Sequence, residues 1–219
     1  MIAPLDVPDV PRWVEAHAIA SDPTSWSRAL GAGVAVGNDL ARLIVVVGDA
    51  EPAAVAALAD EVTHPMLFAI ERADLARASG RAAARAALHT LRDPADLPDL
   101  EGAVVLPDDV SLAHVPPGLA DELATARARH PVWCVFLDGV PVSFAYAPWR
   151  SARWFDVSVD TLPEARQLGL GRLVAAAMIH GERALGREPV WGADEGNAGS
   201  LRLAHSLGFV KVDELWVAP

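Results

Sequence analysis

The sequence predicts a mixed α/β fold, a β-sheet flanked by helices, and three local patterns carry that prediction. The β-branched run Leu43–Val47, a helix-like segment and the strand-like run Met66–Ile70 follow one another as in a parallel β-α-β unit. Two apolar runs meet at Asp138 and Gly139, a pair that tolerates the positive φ angles of a tight hairpin turn. A glycine-containing loop ending at Gly171 precedes a long apolar segment. We therefore expect parallel and antiparallel strands in one molecule.

The first hundred residues predict helices alternating with strands. Apolar side chains spaced mainly by three and four between residues 10 and 20 indicate a short amphipathic helix. Pro52 suits the first turn of the next helix, which runs over 53–62 and stops at a proline-containing turn. Residues 72–92 alternate Ala and Arg so freely that helix and strand both stay open there.

A stretch rich in proline and aspartate divides the sequence in two. Residues 93–99 contain two Pro and three Asp, which is linker composition. We therefore predict a smaller α/β lobe over residues 1–100 and a second domain over residues 103–219.

The second domain predicts an antiparallel meander, a crossover helix, a parallel strand, a short helix and a last strand. Asn197 is a good helix N-cap, and Gly186 and Gly208 are natural helix ends. We find no internal repeat in the sequence. The predicted strands lie at 104–106, 132–137, 140–146, 154–160, 189–193 and 210–217, and the predicted helices begin at Pro116-Pro117 and span 173–185 and 200–207.

Charge and composition exclude several classes of function. The formal net charge is −11, so the surface repels phosphate backbones and non-specific nucleic-acid binding is disfavoured, whereas a cationic amine is weakly favoured. Cys134 is the only cysteine, which excludes a disulfide framework and a Cys-rich zinc site and is typical of a reducing cytoplasm. The seven histidines are scattered without ligand spacing, so we expect no metal site.

The apolar segments are short. The N-terminus, Met1–Val10, lacks a basic segment followed by an apolar one, so we expect no secretion signal. The longest strongly apolar run, residues 43–47, is far shorter than the roughly 20 residues needed to cross a bilayer. We expect a soluble, cytoplasmic protein with no membrane partner.

The loop Arg166-x-x-Gly169-x-Gly171 is the strongest candidate for chemistry. It lies between a strand and a buried helix, where backbone N–H groups and the helix dipole favour an anion such as a phosphate. Arg166 and Arg172 add charged donors. The spacing fits neither a P-loop nor a dinucleotide-binding loop, and a glycine turn of this kind is by itself often only structural.

A second motif follows after one strand. The segment Asn197–Phe209 reads Asn-Ala-Gly-Ser-Leu-Arg-Leu-Ala-His-Ser-Leu-Gly-Phe. Together the two motifs resemble the GNAT superfamily of N-acetyltransferases, in which Arg/Gln-x-x-Gly-x-Gly/Ala binds the CoA pyrophosphate and an Asn-x-x-Ser segment leads into Leu-Gly-Phe. The resemblance covers about residues 103–219.

The resemblance implies a GNAT-like mixed sheet that splays between the strand of residues 156–160 and the strand of residues 189–193. Acetyl-CoA, or another acyl-CoA, would enter the gap. The strand backbone would hold the pantetheine and acetyl carbonyl, the loop the pyrophosphate, and the Asn-x-x-Ser segment the other wall. The implied cofactor-binding residues are Val157, Val159, Arg166, Gln167, Leu168, Gly169, Leu170, Gly171, Arg172, Asn197 and Ser200.

The chemistry of such a site needs a proton acceptor. Amines have a pKa of about 10 and are mostly protonated at pH 7, so a carboxylate that removes a proton is useful. By resemblance, Asp156 matches a strand position where many family members carry a catalytic Glu. Glu195 and Asp194 are the second candidates. A surface or salt-bridge role is the competing interpretation of Asp156, and helix capping or solvent exposure is that of Glu195 and Asp194.

The aromatic residues depart from the family pattern. A Tyr after the Leu-Gly-Phe segment often protonates the departing thiolate in the family, but the nearest aromatic residue here is Trp216. Tyr146 is the only tyrosine of the chain, and we place it in the core or in a pocket. Trp149 and Trp154 flank the second turn of the meander and, with Tyr146, are the candidates for the substrate wall.

These observations predict an N-acetyltransferase that moves acetyl from acetyl-CoA to a primary amine of a small molecule or peptide by direct attack. A catalytically impaired acyl-CoA-binding or regulatory module is the alternative, because of the missing tyrosine. An unrelated fold with a structural glycine turn is a third reading. Residues 1–100 would cover the acceptor site or form the surface of a possible homodimer.

Overall fold

The computed structural model describes residues 5–219 of the chain. Residues 1–4, the start of the segment in which we predict no secretion signal, lie outside the described residues. The helices are α1 (Val14–Ser21), α2 (Pro52–Glu61), α3 (Ala73–Ala78), α4 (Pro117–Arg127), α5 (Leu170–Ala184) and α6 (Ala198–Ser206). The strands are β1 (Trp26–Leu30), β2 (Gly33–Asn38), β3 (Leu43–Val47), β4 (Leu67–Ile70), β5 (Ala84–Leu91), β6 (Ala103–Val105), β7 (Trp133–Leu137), β8 (Val140–Tyr146), β9 (Trp154–Asp156), β10 (Ser158–Thr161), β11 (Glu188–Asp194) and β12 (Phe209–Ala218).

The fold is mixed α/β, as predicted. One sheet has eight strands in the order β1-β2-β3-β4-β12-β5-β11-β9, and the other has four in the order β10-β8-β7-β6. Strands β3 and β4 are parallel, which confirms the predicted β-α-β unit. Asp138 and Gly139 have φ angles of 51° and 81°, so the predicted hairpin turn is confirmed as well.

The two halves of the chain have the same element order, a repeat that the sequence does not reveal. Each half runs helix, two antiparallel strands, a third strand, helix, strand, helix, strand; in the second half β6 precedes this set, and the third strand is divided into β9 and β10. The last strands are exchanged: β5 of the first half pairs with β11, and β12 of the second half pairs with β4. Because β5 and β12 also pair with each other, the larger sheet does not follow the predicted boundary near residue 100.

Two segments differ from the prediction. Residues 72–92, where helix and strand were both open, contain α3 and then β5. The predicted continuous strand over 154–160 is interrupted at Val157, because β9 pairs with β11 whereas β10 pairs with β8. These pairings pull the two pieces into different sheets.

That interruption is the splay implied by the resemblance. The amide of Val157 donates to the carbonyl of Val190 at 2.9 Å, one residue past the last β9–β11 register pair, Asp156 and Val190. Beyond this point β10 follows β8, and the amide of Leu162 donates to Val142 at 2.9 Å. The gap therefore opens between β10 and the second part of β11.

Helix α5 covers the gap from one side and is largely buried, as predicted. Its buried residues, among them Val174 and Met178, pack in a core with Phe155, Val157 and Trp191. The helix begins at Leu170, three residues before the predicted start at 173. No helix within residues 5–219 is both long and apolar enough to cross a membrane.

Candidate functional site

A cleft of about 780 Å³ lies at the splay, between β10, the loop before α5, β11 and α6. It brings together residues that the sequence analysis named from separate motifs. Leu168 is the exception among them, since its side chain is 59% exposed and does not line the cleft. The predicted cofactor-binding residues that do line it are Val157, Val159, Arg166, Gln167, Gly169, Leu170, Gly171, Arg172, Asn197 and Ser200.

The loop before α5 leaves its backbone amides free. Within the described part of the chain, none of the amides of residues 167–171 donates a hydrogen bond to another backbone carbonyl. Gly169 is the N-cap of α5 with a φ of 79°, and Gln167 has a φ of 63°. Free amides at a helix N-terminus carry partial positive charge, so the loop suits a diphosphate.

Gly171 keeps the floor of the cleft open. A Cβ atom at this position would lie 3.3 Å from Oγ1 of Thr161, 3.4 Å from Cδ2 of Leu203 and 3.7 Å from Cγ1 of Val159. The first turn of α5 therefore approaches β10 and α6 more closely than most larger residues allow.

Three arginines line the cleft although the chain as a whole is acidic. Nε of Arg166 donates to the carbonyl of Thr161 at 3.1 Å, and Nε of Arg172 donates to the carbonyl of Ser206 at 3.2 Å. These bonds fix the two side chains and use only one nitrogen of each guanidinium group. Arg202 on α6 is the third. Together they concentrate positive charge where a polyphosphate would bind.

The predicted Asn-x-x-Ser segment forms the wall opposite the loop. Oδ1 of Asn197 accepts from the amide of Ser200 at 3.0 Å, so Asn197 is the N-cap that the sequence predicts. Oγ of Ser200 accepts from Nε1 of Trp191 at 2.9 Å. Both side chains therefore have a structural partner as well as a place in the cleft.

The opposite face of the sheet carries a separate chamber of about 210 Å³. Alternate residues of a strand face opposite sides, so Phe155 packs with α5 whereas Asp156 lines the chamber. Helix α1 of the first half covers it with Val14 and Glu15. Gly192 lines both the chamber and the cleft, so the two spaces meet at the splay.

Asp156 and Glu15, two carboxyl groups of this chamber, have altered acidity. Burial raises the pKa of Asp156 to about 7, against a smaller lowering by hydrogen bonds from the backbone of Val157 and Gly192. Burial also raises the pKa of Glu15 to about 8, and the negative charge of Asp156 adds to the effect. A carboxyl group whose pKa lies near 7 is suited to accept a proton at neutral pH.

Glu195, the second candidate base, lies outside both spaces. Its carboxylate is 3.0 Å from Arg85 and 3.3 Å from Lys211, on the part-exposed surface of β5 and β12. Glu195 is therefore part of a surface group of ion pairs, whereas helix capping or solvent exposure was the competing interpretation from the sequence.

The predicted substrate-wall residues are divided between two places. Tyr146 and Trp149 line a further cavity of about 580 Å³ between α4 and the loop after β2. The hydroxyl of Tyr146 donates to Glu122 at 2.9 Å and lies 3.3 Å from Asp160. Trp154 lies elsewhere: its indole N–H donates to the carbonyl of Asp9 at 3.0 Å.

Several cleft and chamber residues were missed by the sequence analysis. Arg202 shares a face of α6 with Gly199, Leu203 and Ser206, a spacing of three and four that would have identified it once the helix was oriented. Glu15 gives no such signal, because only the tertiary fold brings α1 to Asp156.

Two other kinds of site were compared with residues 5–219: a metal site and a reactive thiol. No group of three or more His, Cys, Asp or Glu side chains in this range is arranged to hold a metal ion. Cys134 is buried, and burial raises the pKa of its thiol to about 11, which keeps it protonated.

The corresponding connection of the first half, between β3 and α2, differs from the loop before α5. It carries Asp49 and Glu51, and Pro52 removes an amide from the first turn of α2. Strand β3 also pairs with β4 over four residue pairs, from Leu43 to Val46, so the two strands do not splay there. An anion would meet acidic side chains and fewer amides.

The comparison with known families agrees with this geometry. Residues 133–217 match the family model described as GNAT acetyltransferase. This segment belongs to the GNAT acetyltransferase family. The matched GNAT residues contain β7 to α6 and most of β12, and hence the whole lining of the cleft.

Solved structures extend the likeness to both halves. One, described as an acetyltransferase from the GNAT family of Novosphingobium aromaticivorans, is 22% identical, with a TM-score of 0.63 over 88% of this chain and 89% of that one. A GCN5-related N-acetyltransferase-like protein from Streptococcus suis is 14% identical, with a TM-score of 0.70 over 98% and 94%. A tandem GNAT protein from the clavulanic acid biosynthesis pathway is 16% identical, with a TM-score of 0.55 over 94% and 93%. At these identities the likeness establishes a GNAT fold. Among curated proteins, none matches this chain.

Proposed function

We propose that this GNAT protein is an acetyl-CoA-dependent N-acetyltransferase that acts on a primary amine of a small molecule or peptide. The observation that carries the proposal is the cleft at the splay, where free loop amides, three arginines and the diverging strand β10 line one space. Its volume of about 780 Å³ lies within the roughly 300–1,000 Å³ typical of cofactor sites.

Each part of the cleft suits one part of acetyl-CoA or another acyl-CoA. The amides of residues 167–171, with Arg166 and Arg172, would hold the pyrophosphate. The backbone of Val157 and Val159 would hold the pantetheine and the acetyl carbonyl, because β10 diverges from β11 there and follows β8. Acetyl-CoA supplies an activated thioester carbonyl.

Asp156 is the proposed general base. Its pKa of about 7 leaves a substantial fraction ionised at neutral pH, so it can take one proton from the bound ammonium group. The neutral nitrogen then forms a bond to the acetyl carbon and the carbon–sulfur bond breaks. The nitrogen then loses its second proton, and the CoA thiolate takes up one proton. The products are therefore an amide, the CoA thiol and one proton, which Asp156 passes to solvent.

A binding assay and a turnover assay test the proposal. We expect calorimetry to give a defined affinity for acetyl-CoA, and a panel of primary amines to give CoA release together with the acetylated amine. Absence of acetyl-CoA binding would contradict the proposal and favour an unrelated role for the loop.

A non-catalytic acyl-CoA-binding or regulatory module is the second candidate. It is favoured by one observation: the cleft lining contains no tyrosine within the described residues, and Tyr146 hydrogen-bonds in a different cavity. Acetyl-CoA binding without turnover of any amine in the panel would support this candidate. Cytoplasmic location, the absence of nucleic-acid and membrane partners, and a possible homodimer remain predictions from the sequence.

A further inference from the structure

We propose that the chamber between α1 and the larger sheet binds the acceptor, that Glu15 and Asp156 hold its nitrogen, and that it selects a small, largely apolar primary amine without a carboxylate. This inference rests on the proposed acetyltransferase function. It also assigns a role to the first half of the chain, which supplies Glu15 and one wall of the chamber.

The position of the chamber suits an acceptor. Acyl-CoA would occupy the α5 side of the sheet, and the chamber lies on the other side at the same splay. Gly192 lines both spaces, and it has no side chain to separate them. Asp156 immediately precedes Val157, the residue at which the strand leaves β11. An amine held by Asp156 would therefore be next to the acetyl group.

The walls of the chamber are apolar and its volume is small. Strands from both halves contribute, and the volume of about 210 Å³ lies below the roughly 300–1,000 Å³ of sites for drug-sized ligands. A long peptide or a large amine does not fit inside. The apolar lining residues are Val14, Leu67, Ala69, Ala86, Leu88, Val190, Ala193, Leu215 and Val217.

The charges of the chamber favour a cation. Nε of Arg12, the one cation of the lining, donates to Asp213 at 2.6 Å, and a terminal nitrogen of Arg12 donates to Glu71 at 3.2 Å. Glu15, in contrast, has no hydrogen-bond donor or cation among residues 5–219 that lowers its pKa. The half-buried carboxyl groups of Glu15 and Asp156 have no cation of their own among the residues that the structure describes, so an ammonium group is the matching ligand.

The same charges disfavour a carboxylate on the acceptor. A second negative group would lie near Glu15, Asp156 and Asp194, and Arg12 is already paired. Burying a carboxylate without a partner costs more free energy than a hydrogen bond between neutral groups gains.

The larger cavity beside α4 is the competing acceptor site. It is lined by Arg42, Arg129 and His130 as well as by acidic residues, and Asp156 does not line it. The hydroxyl of Tyr146 in its lining already donates to Glu122. The cavity thus has cations that repel an ammonium group and lacks the candidate base.

A matched pair of amines tests the selectivity. Leucine and 3-methylbutylamine share a side chain and differ by the carboxylate. We expect 3-methylbutylamine to be acetylated with a kcat/KM at least about 100-fold higher than that of leucine, since one unpaired buried charge accounts for such a factor. Comparable turnover of the two compounds, or a preference for leucine, would overturn the inference.

Glu15→Gln tests the residue. We expect the KM for 3-methylbutylamine to rise by about 10- to 100-fold, with the acetyl-CoA affinity from calorimetry unchanged, because Glu15 lies across the sheet from the cleft. Glu101→Gln, at an exposed position, is the matched control and should leave the KM unchanged. An unchanged KM in Glu15→Gln, with an increase in Tyr146→Phe or Trp149→Ala, would assign the acceptor to the larger cavity. If the unmodified protein does not bind acetyl-CoA, that result would instead contradict the proposed function itself.

Discussion

Gln167 takes a backbone conformation that few residues other than glycine adopt readily. Its φ of 63° is left-handed, a region that favours glycine. The left-handed conformation costs a residue with a Cβ atom about 1–2 kcal/mol, and β-branched residues more. The loop holds this conformation and leaves the amides of residues 167–171 free of backbone partners.

We expect Gln167→Gly to preserve acetyl-CoA affinity and to change the free energy of unfolding by no more than about 1 kcal/mol, because relief of strain and gain of unfolded-state entropy oppose each other. Gln167→Val should lower the free energy of unfolding by about 1–2 kcal/mol and weaken binding. Calorimetric affinities and denaturant unfolding of both variants check this. Equal affinities for the two variants would indicate that the loop conformation does not matter for binding.

Asp156 predicts the pH dependence of the reaction. The base acts in its deprotonated form, and burial raises its pKa to about 7. The value of kcat/KM should therefore rise with pH up to about 7, and above that pH the ionisation of Asp156 should no longer change it. The charged groups facing it are Glu15 on α1, Arg12 before α1 and Asp194 on β11. Glu15, with a pKa of about 8, is coupled to Asp156, so the measured value belongs to the pair.

A profile of kcat/KM from pH 5.5 to 9 with saturating acetyl-CoA measures this rise with pH. Asp156→Asn should remove it and lower kcat by about 10²- to 10⁴-fold, while the slope due to the amine's own pKa of about 10 remains. An Asp156→Asn profile that keeps the inflection near 7 would assign the base to another group.

At the residue scale the sequence was informative where a motif repeats a known geometry. Asn197 and Gly169 were named from spacing. Asn197 is the predicted N-cap of α6, and Gly169, named as part of the loop, is the N-cap of α5. Glu15 and Arg202 were not, because their roles depend on how distant elements meet. A lone glutamate on a short helix carries no sequence signal that distinguishes a chamber from solvent.

At the element scale, the start of α5 and the splay work as one unit. Gly171 lies where a Cβ atom would approach Thr161 and Leu203 within 3.3 and 3.4 Å. Gly171→Val should therefore narrow the cleft and lower acetyl-CoA affinity at least about tenfold. The added side chain would press on Thr161 and Leu203, and displacing packed side chains is unfavourable. Gly171→Ala should have a smaller effect of the same sign. Calorimetry measures the affinity, and circular dichroism confirms that the variants are folded; unchanged affinity in Gly171→Val would mean that the ligand does not approach this turn.

The elements that the sequence predicts well are those with local causes. The turn at Asp138 and Gly139 and the parallel unit around Leu43–Val47 follow from backbone preference and apolar patterning. Strand β5 was hidden because the Ala and Arg residues of the stretch 72–92 fit helix and strand equally. The interruption at Val157 was implied only by resemblance, since the alternation of apolar residues continues through it.

At the scale of the whole molecule, the exchange of last strands makes the two halves depend on each other. Strand β5 belongs to the first half in the chain, yet it pairs with β11 from Ala86 to Thr90 and with β12 from Ala84 to Leu91. The boundary near residue 100 was predicted from linker composition. Such composition indicates a flexible connection and carries no information on strand order.

The exchange predicts that residues 103–219 do not fold on their own, although they contain the whole cleft lining. Removing β5 would leave β11 and β12 with unpaired edges, and would also expose Val190 and Leu215, which pack with Leu88 of β5 in a small core. We expect the isolated fragment to lack a cooperative thermal transition and to bind acetyl-CoA at least about 100-fold more weakly than the full chain. Adding residues 1–100 as a separate chain should restore both properties, because it returns β5 to its place. A fragment that melts cooperatively and binds with the affinity of the full chain would contradict this dependence, and would make the boundary near residue 100 a true domain boundary.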